Sequence, residues 1–253
     1  MKISTTEKRR IYYVAAVLVW IVVWAVLSAL VGEEIFLPSP VSVIKSLLSL
    51  IPQSSFWKAV GFTLSRVIAG IVLSSVIASV LAVLSSFSGK LEILLSPLVK
   101  AVRSIPVASV IILVLLWVKS RNLSVVISSL VVFPVIYTSV LSGMKNTSPL
   151  LLEMASNYSV GRRKRIRYIY IPSVFPYLKA GMRTAVGFAW KSAVAAEVIG
   201  LPKNSIGTAL YEAKIYLLTS DLFAWTLVIV ILSALFEKVT ILLLEEAERR
   251  ILK

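Results

Sequence analysis

Long apolar runs separated by short charged segments constrain this chain more than any other feature. A helix needs about 20 apolar residues to cross the ~30 Å hydrocarbon core of a bilayer. Because lipid offers no water to backbone N–H and C=O groups, a run that crosses must be helical. The pattern predicts an all-α polytopic membrane protein. Its six predicted spans are residues 11–31, 60–87, 101–118, 123–144, 177–199 and 222–244.

The composition agrees with this class and excludes most catalytic chemistry. Of the 253 residues, 58% are apolar, and neither Cys nor His occurs. The chain therefore has no disulfide, no thiolate zinc site and no imidazole base. We expect no catalytic residue, metal or cofactor. The G-x-x-x-x-G-K-[ST] loop that cradles nucleotide phosphates is also missing, so ATP-driven work would need an ATPase on another polypeptide.

The positions of the 27 Lys and Arg residues predict the orientation in the membrane. Most lie before the first run, in residues 88–103, in residues 145–176 or after residue 244. Loops rich in Lys and Arg remain in the cytoplasm. This predicts a plasma-membrane protein with an uncleaved first span and with both termini cytoplasmic. A nucleic-acid-binding protein is the other reading of so basic a chain, but the cations lie between apolar spans, so we expect no nucleic acid partner.

Residues 145–176 form the longest polar insert and are predicted to be a cytoplasmic loop. Ser148 is a suitable N-cap for a short helix, and Gly161 is predicted to end that helix. A basic turn at residues 162–170 follows. It is predicted to stop before Pro172, because a proline disfavours helical geometry in the residue that precedes it.

This loop resembles the Glu-Ala-Ala loop of the permease subunits of ATP-binding-cassette (ABC) importers. The residues that match the motif are Glu153, Ala155, Gly161, Ile169 and Pro172. Three positions depart from it: Met154 stands where the family has alanine, Ser159 where it has glycine and Ile171 where it has leucine.

The resemblance implies the type I ABC importer permease fold, with residues 1–253 forming one transmembrane domain. It points to the aliphatic sulfonate, taurine and nitrate branch of these importers. Two further segments of this chain resemble that branch: Leu37-Pro38-Ser39-Pro40 and Arg103-Ser104-Ile105-Pro106. In such importers the loop docks on the ATPase. The residues implied in that coupling are Glu153, Ala155 and Ser159 at the contact, Gly161 at the helix break, and Ile169 and Pro172 at the return into the membrane.

The partners implied by the same resemblance are two ABC ATPase subunits, an extracytoplasmic substrate-binding protein and a second copy of the permease, surrounded by lipid. The implied substrate is a small anion such as sulfonate, taurine or nitrate, or a vitamin-like or pyrimidine-like precursor. The binding protein largely sets the solute, so the permease sequence leaves it open.

Two ionisable residues lie in the fifth predicted span, Lys191 and Glu197. Six residues of helix place them about 120° apart around the axis, which makes them poor partners. Lys191 either lines a pore or pairs with an acid on another helix or subunit. Glu197 either lies at a gate or makes a hydrogen bond at the end of the span. The alternative function is an ion-coupled secondary transporter that uses both as relay groups, although no inverted repeat is visible.

Overall fold

The computed structural model describes residues 5–252, with side chains described at residue 12 and at residues 15–251. Lys2, the first residue of the basic N-terminal segment, lies outside the described residues. Over the described range the chain has eleven α-helices, one π-helical turn and no strand, which confirms the all-α class. The α-helices are α1 Thr5–Val31, α2 Pro40–Leu50, α3 Ser54–Phe87, α4 Gly89–Ser104, α5 Val107–Val114, α6 Ser120–Lys145, α7 Pro149–Asn157, α8 Arg162–Arg165, α9 Ile171–Gly200, α10 Ile206–Ile215 and α11 Thr219–Leu252, and the π turn is Ile166–Tyr170.

Helix α6 lies at the centre of the fold, between α3 and α9, and α11 packs against the other side of α9. The apolar core between these helices includes Ile136 and Trp190, whose side chains have no accessible surface. Gly143 lets α6 and α9 approach closely, since a Cβ at this glycine would lie only 2.8 Å from the Cα atom of Val174. This contact holds together the ends of α6 and α9 from which the connecting loop emerges.

Three helices are long and apolar enough to cross a membrane: α3, α6 and residues Thr219–Ile251 of α11. They coincide with the second, fourth and sixth predicted spans. In α1 the apolar part with described side chains, Ala15–Val31, is shorter than such a span. Helix α9 is long, but Lys179, Arg183, Lys191 and Glu197 lower its hydropathy. The count of six spans therefore remains a prediction.

The third span predicted for residues 101–118 is not a single helix in the structure. The chain instead forms α4 and α5, which meet at an angle of 104° and together make a bent candidate span. The break lies at Ile105, whose backbone is extended (φ −78°, ψ 132°). Pro106 follows it, and a proline disfavours the helical conformation in the preceding residue.

The bundle has two chemically different ends. The loop end carries α7, α8 and the π turn, and the opposite end carries α2 and α10. At the opposite end α2 is fastened to α11 by a 2.6 Å hydrogen bond from Ser46 Oγ to Asp221 Oδ1. Helix α1 joins the same end, where Trp24 Nε1 donates to the carbonyl of Pro38 at 3.1 Å.

Candidate functional site

Helix α7 is the short helix of the central loop, and it ends in a left-handed turn at Ser159. The backbone φ of Ser159 is 50°. Its N–H donates to the carbonyl of Ser156 at 3.0 Å, and the N–H of Val160 donates to the carbonyl of Ala155 at 2.8 Å. These are the two bonds of a Schellman motif, which satisfies carbonyls that would otherwise be unpaired at the end of a helix.

The predicted stop at Gly161 is therefore wrong by two residues. Gly161 has a φ of −62° and precedes α8. Ser159 takes the left-handed position instead, where the related permeases are expected to have glycine. A side chain at this position costs free energy, because its Cβ approaches the following carbonyl oxygen. The turn thus keeps its place in the chain although the residue differs.

One face of α7 is apolar and exposed. Leu151, Met154 and Tyr158 follow one another at spacings of three and four residues, which places them along the same side of the helix. Tyr158 is 79% exposed. Glu153 is also exposed and lies next to Met154 in sequence. We call Leu151, Met154 and Tyr158 the α7 face. It extends from the loop, and nothing in the described chain covers it.

The loop residues named from the sequence occupy different environments. Glu153, Ser159 and Gly161 are exposed, whereas Ile169 and Pro172 are half-buried. Ala155 is only 5% exposed, and its carbonyl accepts the Schellman bond, so its side chain packs inside the loop. The resemblance predicts that Ala155 contacts another protein directly, but its burial within the loop argues against such a contact.

The π turn lies where the sequence predicts a break. The N–H of Ile171 donates to the carbonyl of Ile166, five residues earlier, and the chain continues into α9 without interruption. The prediction that the basic turn stops before Pro172 is therefore wrong. A π turn holds one extra residue, and such turns are frequent at functional sites. Here it carries the chain through a proline that has no N–H to donate.

Two arginines fasten this segment to its surroundings. Arg165 donates from Nε to the carbonyl of Val160 at 2.7 Å and from Nη2 to the carbonyl of Ala155 at 3.1 Å. Arg167 donates from Nε to the carbonyl of Ile251, at the end of α11, at 2.7 Å. The loop is thus tied both to the end of α7 and to the last helix.

Helix α9 presents an exposed stripe with two cations. Ala180, Arg183, Phe188 and Lys191 are exposed, at spacings of three to five residues. Arg183 lies 3.7 Å from Glu237, a long ion pair that is mostly exposed. Lys191 has no carboxylate within 4.0 Å among the described residues. A free cation is costly against lipid, so this stripe favours water or another protein as its neighbour.

Glu197 lies on a different side of α9 and is completely buried. Its Oε2 accepts a 2.8 Å hydrogen bond from Thr63 on α3 and a 3.2 Å bond from the N–H of Gly207. Thr63 Oγ1 in turn accepts the N–H of Ile206 at 3.1 Å. The carboxylate and Thr63 therefore occupy the start of α10, where N–H groups have no intrahelical partners. We call Glu197, Thr63 and the N–H groups of Ile206 and Gly207 the Glu197 cluster.

Lys191 and Glu197 are thus not brought together. One is exposed, and the other is enclosed by α3, α9 and α10. Glu197 Oε1 has no hydrogen-bond partner in the described chain. The arrangement fits a hydrogen bond at the end of a span better than a relay between the two side chains.

Sequence reasoning missed Thr63 and the α7 face. Thr63 is one hydroxyl within an apolar run, which gives no local signal. Leu151 and Tyr158 do follow a helical spacing, and this pattern could have revealed them. Among the side chains that the structure describes, no group of three or more from Asp, Glu, His or Cys lies together as a metal site would require.

Comparisons with known proteins identify a family whose model matches most of this chain. The model of the family described as binding-protein-dependent transport system inner membrane component matches residues 70–253. A Bacillus subtilis transport permease protein named for aliphatic sulfonates is 25% identical over 235 residues, covering 92% of this chain and 83% of its own. The nitrate import permease protein of Synechococcus elongatus is 28% identical over 222 residues, covering 79% and 75%. The crystal structure of an amino acid ABC transporter is 18% identical and covers 83% of this chain and 94% of that one, with a TM-score of 0.49.

Proposed function

The chain belongs to the family of inner membrane components of binding-protein-dependent transport systems, and from that premise we propose that it moves a small anion across the plasma membrane while a separate ATPase drives it through residues 148–176. The partner ATPase hydrolyses ATP. This chain forms the translocation path and transmits the movement of the ATPase, and it catalyses no reaction itself.

The α7 face is the observation that carries the proposal. It places Leu151, Met154 and Tyr158, all exposed, on a short helix between two long helices of the bundle. Apolar residues presented together on a protruding segment mark a surface that another protein covers. Aromatic and Met side chains are also enriched at protein–protein contacts. Glu153 lies beside this face, where it can pair with a cation of the ATPase.

The connections of the loop support its action as a lever. The Schellman turn and Arg165 fix the end of α7 to the chain that follows it. The π turn continues directly into α9, and Arg167 holds it to α11. A displacement of α7 by the closing of two ATPases would therefore reach α9 through helical backbone. Such a movement shifts a two-state equilibrium between inward-facing and outward-facing forms.

The exposed stripe of α9 supports the choice of an anion. Lys191, which has no carboxylate within 4.0 Å among the described residues, and Arg183, which lies 3.7 Å from Glu237, place cations along one side of α9. A second copy of the chain would face this side across a two-fold axis. Charge of one sign along a narrow path raises the local concentration of the opposite ion. The relatives named for nitrate and aliphatic sulfonates carry substrates of this kind by name. The extracytoplasmic binding protein would deliver the solute to the opposite end.

Replacement of Tyr158 by glutamate tests the ATPase contact. The side chain is 79% exposed, so the variant should insert and fold normally. A buried charge at the centre of an interface should cost about 2 kcal/mol or more, which lowers the affinity at least tenfold. We expect the ATPase that co-purifies with the wild-type chain to be lost from Tyr158→Glu.

Tyr216→Glu is the matched control. Tyr216 is 71% exposed and ends α10 at the opposite end of the bundle, so this change should leave ATPase binding intact. Since the chain has no cysteine, Tyr158→Cys and Tyr216→Cys also report orientation in intact cells. Only the second should react with an impermeant maleimide added outside. Labelling of Tyr158→Cys from outside, or equal ATPase binding by both glutamate variants, would refute the proposal.

A further inference from the structure

A cavity of about 510 Å³ lies at the loop end, between the π turn and the ends of the long helices. Ten of its twelve lining residues are apolar or aromatic, and the other two are Arg162 and Arg165. Phe87 contributes from α3, Leu178 from α9 and Ile251 from α11. A volume of this size is in the range that holds a drug-sized ligand.

The two arginines give this apolar cavity a positive edge. Arg165 is half-buried and held by the carbonyls of Val160 and Ala155, so its guanidinium is fixed without a carboxylate. Arg162 is exposed and has no acidic partner within 4.0 Å among the described residues. A ligand that fits must therefore join an apolar body to an anionic head.

The position of the cavity favours a lipid as that ligand. The cavity adjoins the last turn of α3, a helix apolar enough to span the membrane, and Phe87 at this turn is 67% exposed. The basic segment 162–167 begins at the same level. Lys and Arg next to the end of a span lie where anionic phospholipid headgroups are found. One acyl chain of a phospholipid would thus enter the cavity from the membrane, while the phosphate of the same lipid stays at the surface.

We propose that this cavity binds one anionic phospholipid, with its phosphate at Arg162 and Arg165 and one acyl chain between Ile166, Tyr170 and the ends of the long helices. The lipid packs against the π turn and stabilises the return of the loop into α9. This inference does not rest on the ATPase contact. It requires only that the loop end lie at a membrane surface.

Photocrosslinking of the full chain tests the site. The purified protein is placed in phosphatidylcholine vesicles that contain a trace of phosphatidylglycerol with a photoreactive acyl chain. The label should appear on peptides that contain Phe87 or Leu178. Arg162→Glu should lower this yield about fivefold. Arg163→Glu makes the same charge change at an exposed residue that does not line the cavity, and should change the yield less than about twofold.

Any one of three other outcomes would overturn the proposal. Equal losses in Arg162→Glu and Arg163→Glu would mean that only the general positive surface attracts the lipid. Equal labelling by photoreactive phosphatidylcholine would mean that the headgroup charge is not recognised. Labelling confined to peptides that do not line the cavity would mean that the lipid binds elsewhere on the chain.

A second pair of variants tests the acyl chain separately from the charge. Ile166 lines the cavity and is 44% exposed, so Ile166→Trp should fill space there without disturbing the core. We expect this change to abolish labelling inside the cavity. Tyr168→Trp, on an exposed side chain of the same turn that does not line the cavity, should leave it unchanged. Undiminished labelling in Ile166→Trp would contradict insertion of the chain.

Discussion

At the loop end the chain turns apolar and basic side chains outward, whereas at the opposite end Glu197 turns a carboxylate inward. Both regions use a left-handed residue to end a helix, Ser159 after α7 and Leu201 after α9. In the Glu197 cluster, the hydroxyl of Thr63 and the N–H of Gly207 donate to the buried carboxyl group of Glu197, and the N–H of Ile206 donates to Thr63. The α7 face has no comparable partner in the described chain. The Glu197 cluster is therefore buried and bonded within one chain, whereas the α7 face is exposed.

The difference matters for function because the two regions bound the same helix. Helix α9 begins at the π turn and ends three residues after Glu197. Movement imposed at a covered loop would be transmitted along α9 to a cluster that keeps α3, α9 and α10 in register. The hydrogen bonds of the Glu197 cluster would hold one end of α9 while the other end moves. Substitutions at either end test whether the two regions differ in this way.

Glu197→Ala should have the largest effect. It removes the acceptor for the hydroxyl of Thr63 and for the N–H of Gly207, and leaves both donors buried. An unsatisfied buried donor costs about 1–3 kcal/mol, so we expect the protein to lose roughly 2–4 kcal/mol of stability. Unfolding of the purified protein, followed by circular dichroism in mixed detergent, measures this.

Glu197→Gln is its control, since the amide keeps an acceptor oxygen of the same size. It should cost clearly less than Glu197→Ala. If Glu197→Ala were as stable as the wild type, the cluster would not hold this end together, and the contrast between the two ends would fail.

Pro172→Ala should affect coupling more than stability. Alanine supplies an N–H and removes the ring, so the π turn can relax to an α-helix and shift the loop by about one residue relative to α9. We expect solute uptake to fall about tenfold or more while the partner ATPase continues to hydrolyse ATP. That loss in rate corresponds to about 1.4 kcal/mol.

The matched change is Pro176→Ala, at a proline inside α9 and beyond the π turn. It should leave the ratio of uptake to hydrolysis near that of the wild type. Equal ratios in both variants and the wild type would show that the π turn does not set the coupling geometry.

Lys191→Met tests the exposed stripe of α9, where a smaller effect is expected. Methionine keeps the length of the side chain and removes the charge. With Arg183 still present, uptake of an anion should fall about fivefold, because part of the positive potential along the path is lost. Lys214→Met, at an exposed lysine of α10 outside this stripe, is the control. Initial uptake rates in vesicles would show a loss in both variants if the effect were only one of net charge.

The sequence predicts the features that depend on local signals, and it misses those that depend on contacts between distant residues. Apolar runs and the Pro-containing start of α7 are local signals, and they predicted α3, α6, α7 and α11 at nearly their observed places. The contact between Thr63 and Glu197 joins residues 134 positions apart, which no periodicity in one chain shows. The π turn also escaped prediction. A proline usually ends a helix, whereas here the π turn carries the helix through Pro172, and Arg167 bonds this turn to the end of α11.

Ser159→Gly should give the smallest effect, and it bears on the part of the loop that sequence misplaced. The left-handed φ of 50° is unfavourable for serine and free of cost for glycine. Against this gain, glycine has more conformational freedom in the unfolded chain, so the net stabilisation should be about 0.5–1 kcal/mol. Ser159→Val should destabilise the turn, because a β-branched side chain is a genuine outlier at this φ. Hydrogen exchange of the Val160 amide measures the local change, with Ser156→Gly as a control that should weaken α7 instead. If Ser159→Gly slowed exchange no more than Ser156→Gly, the left-handed turn would not be what ends α7.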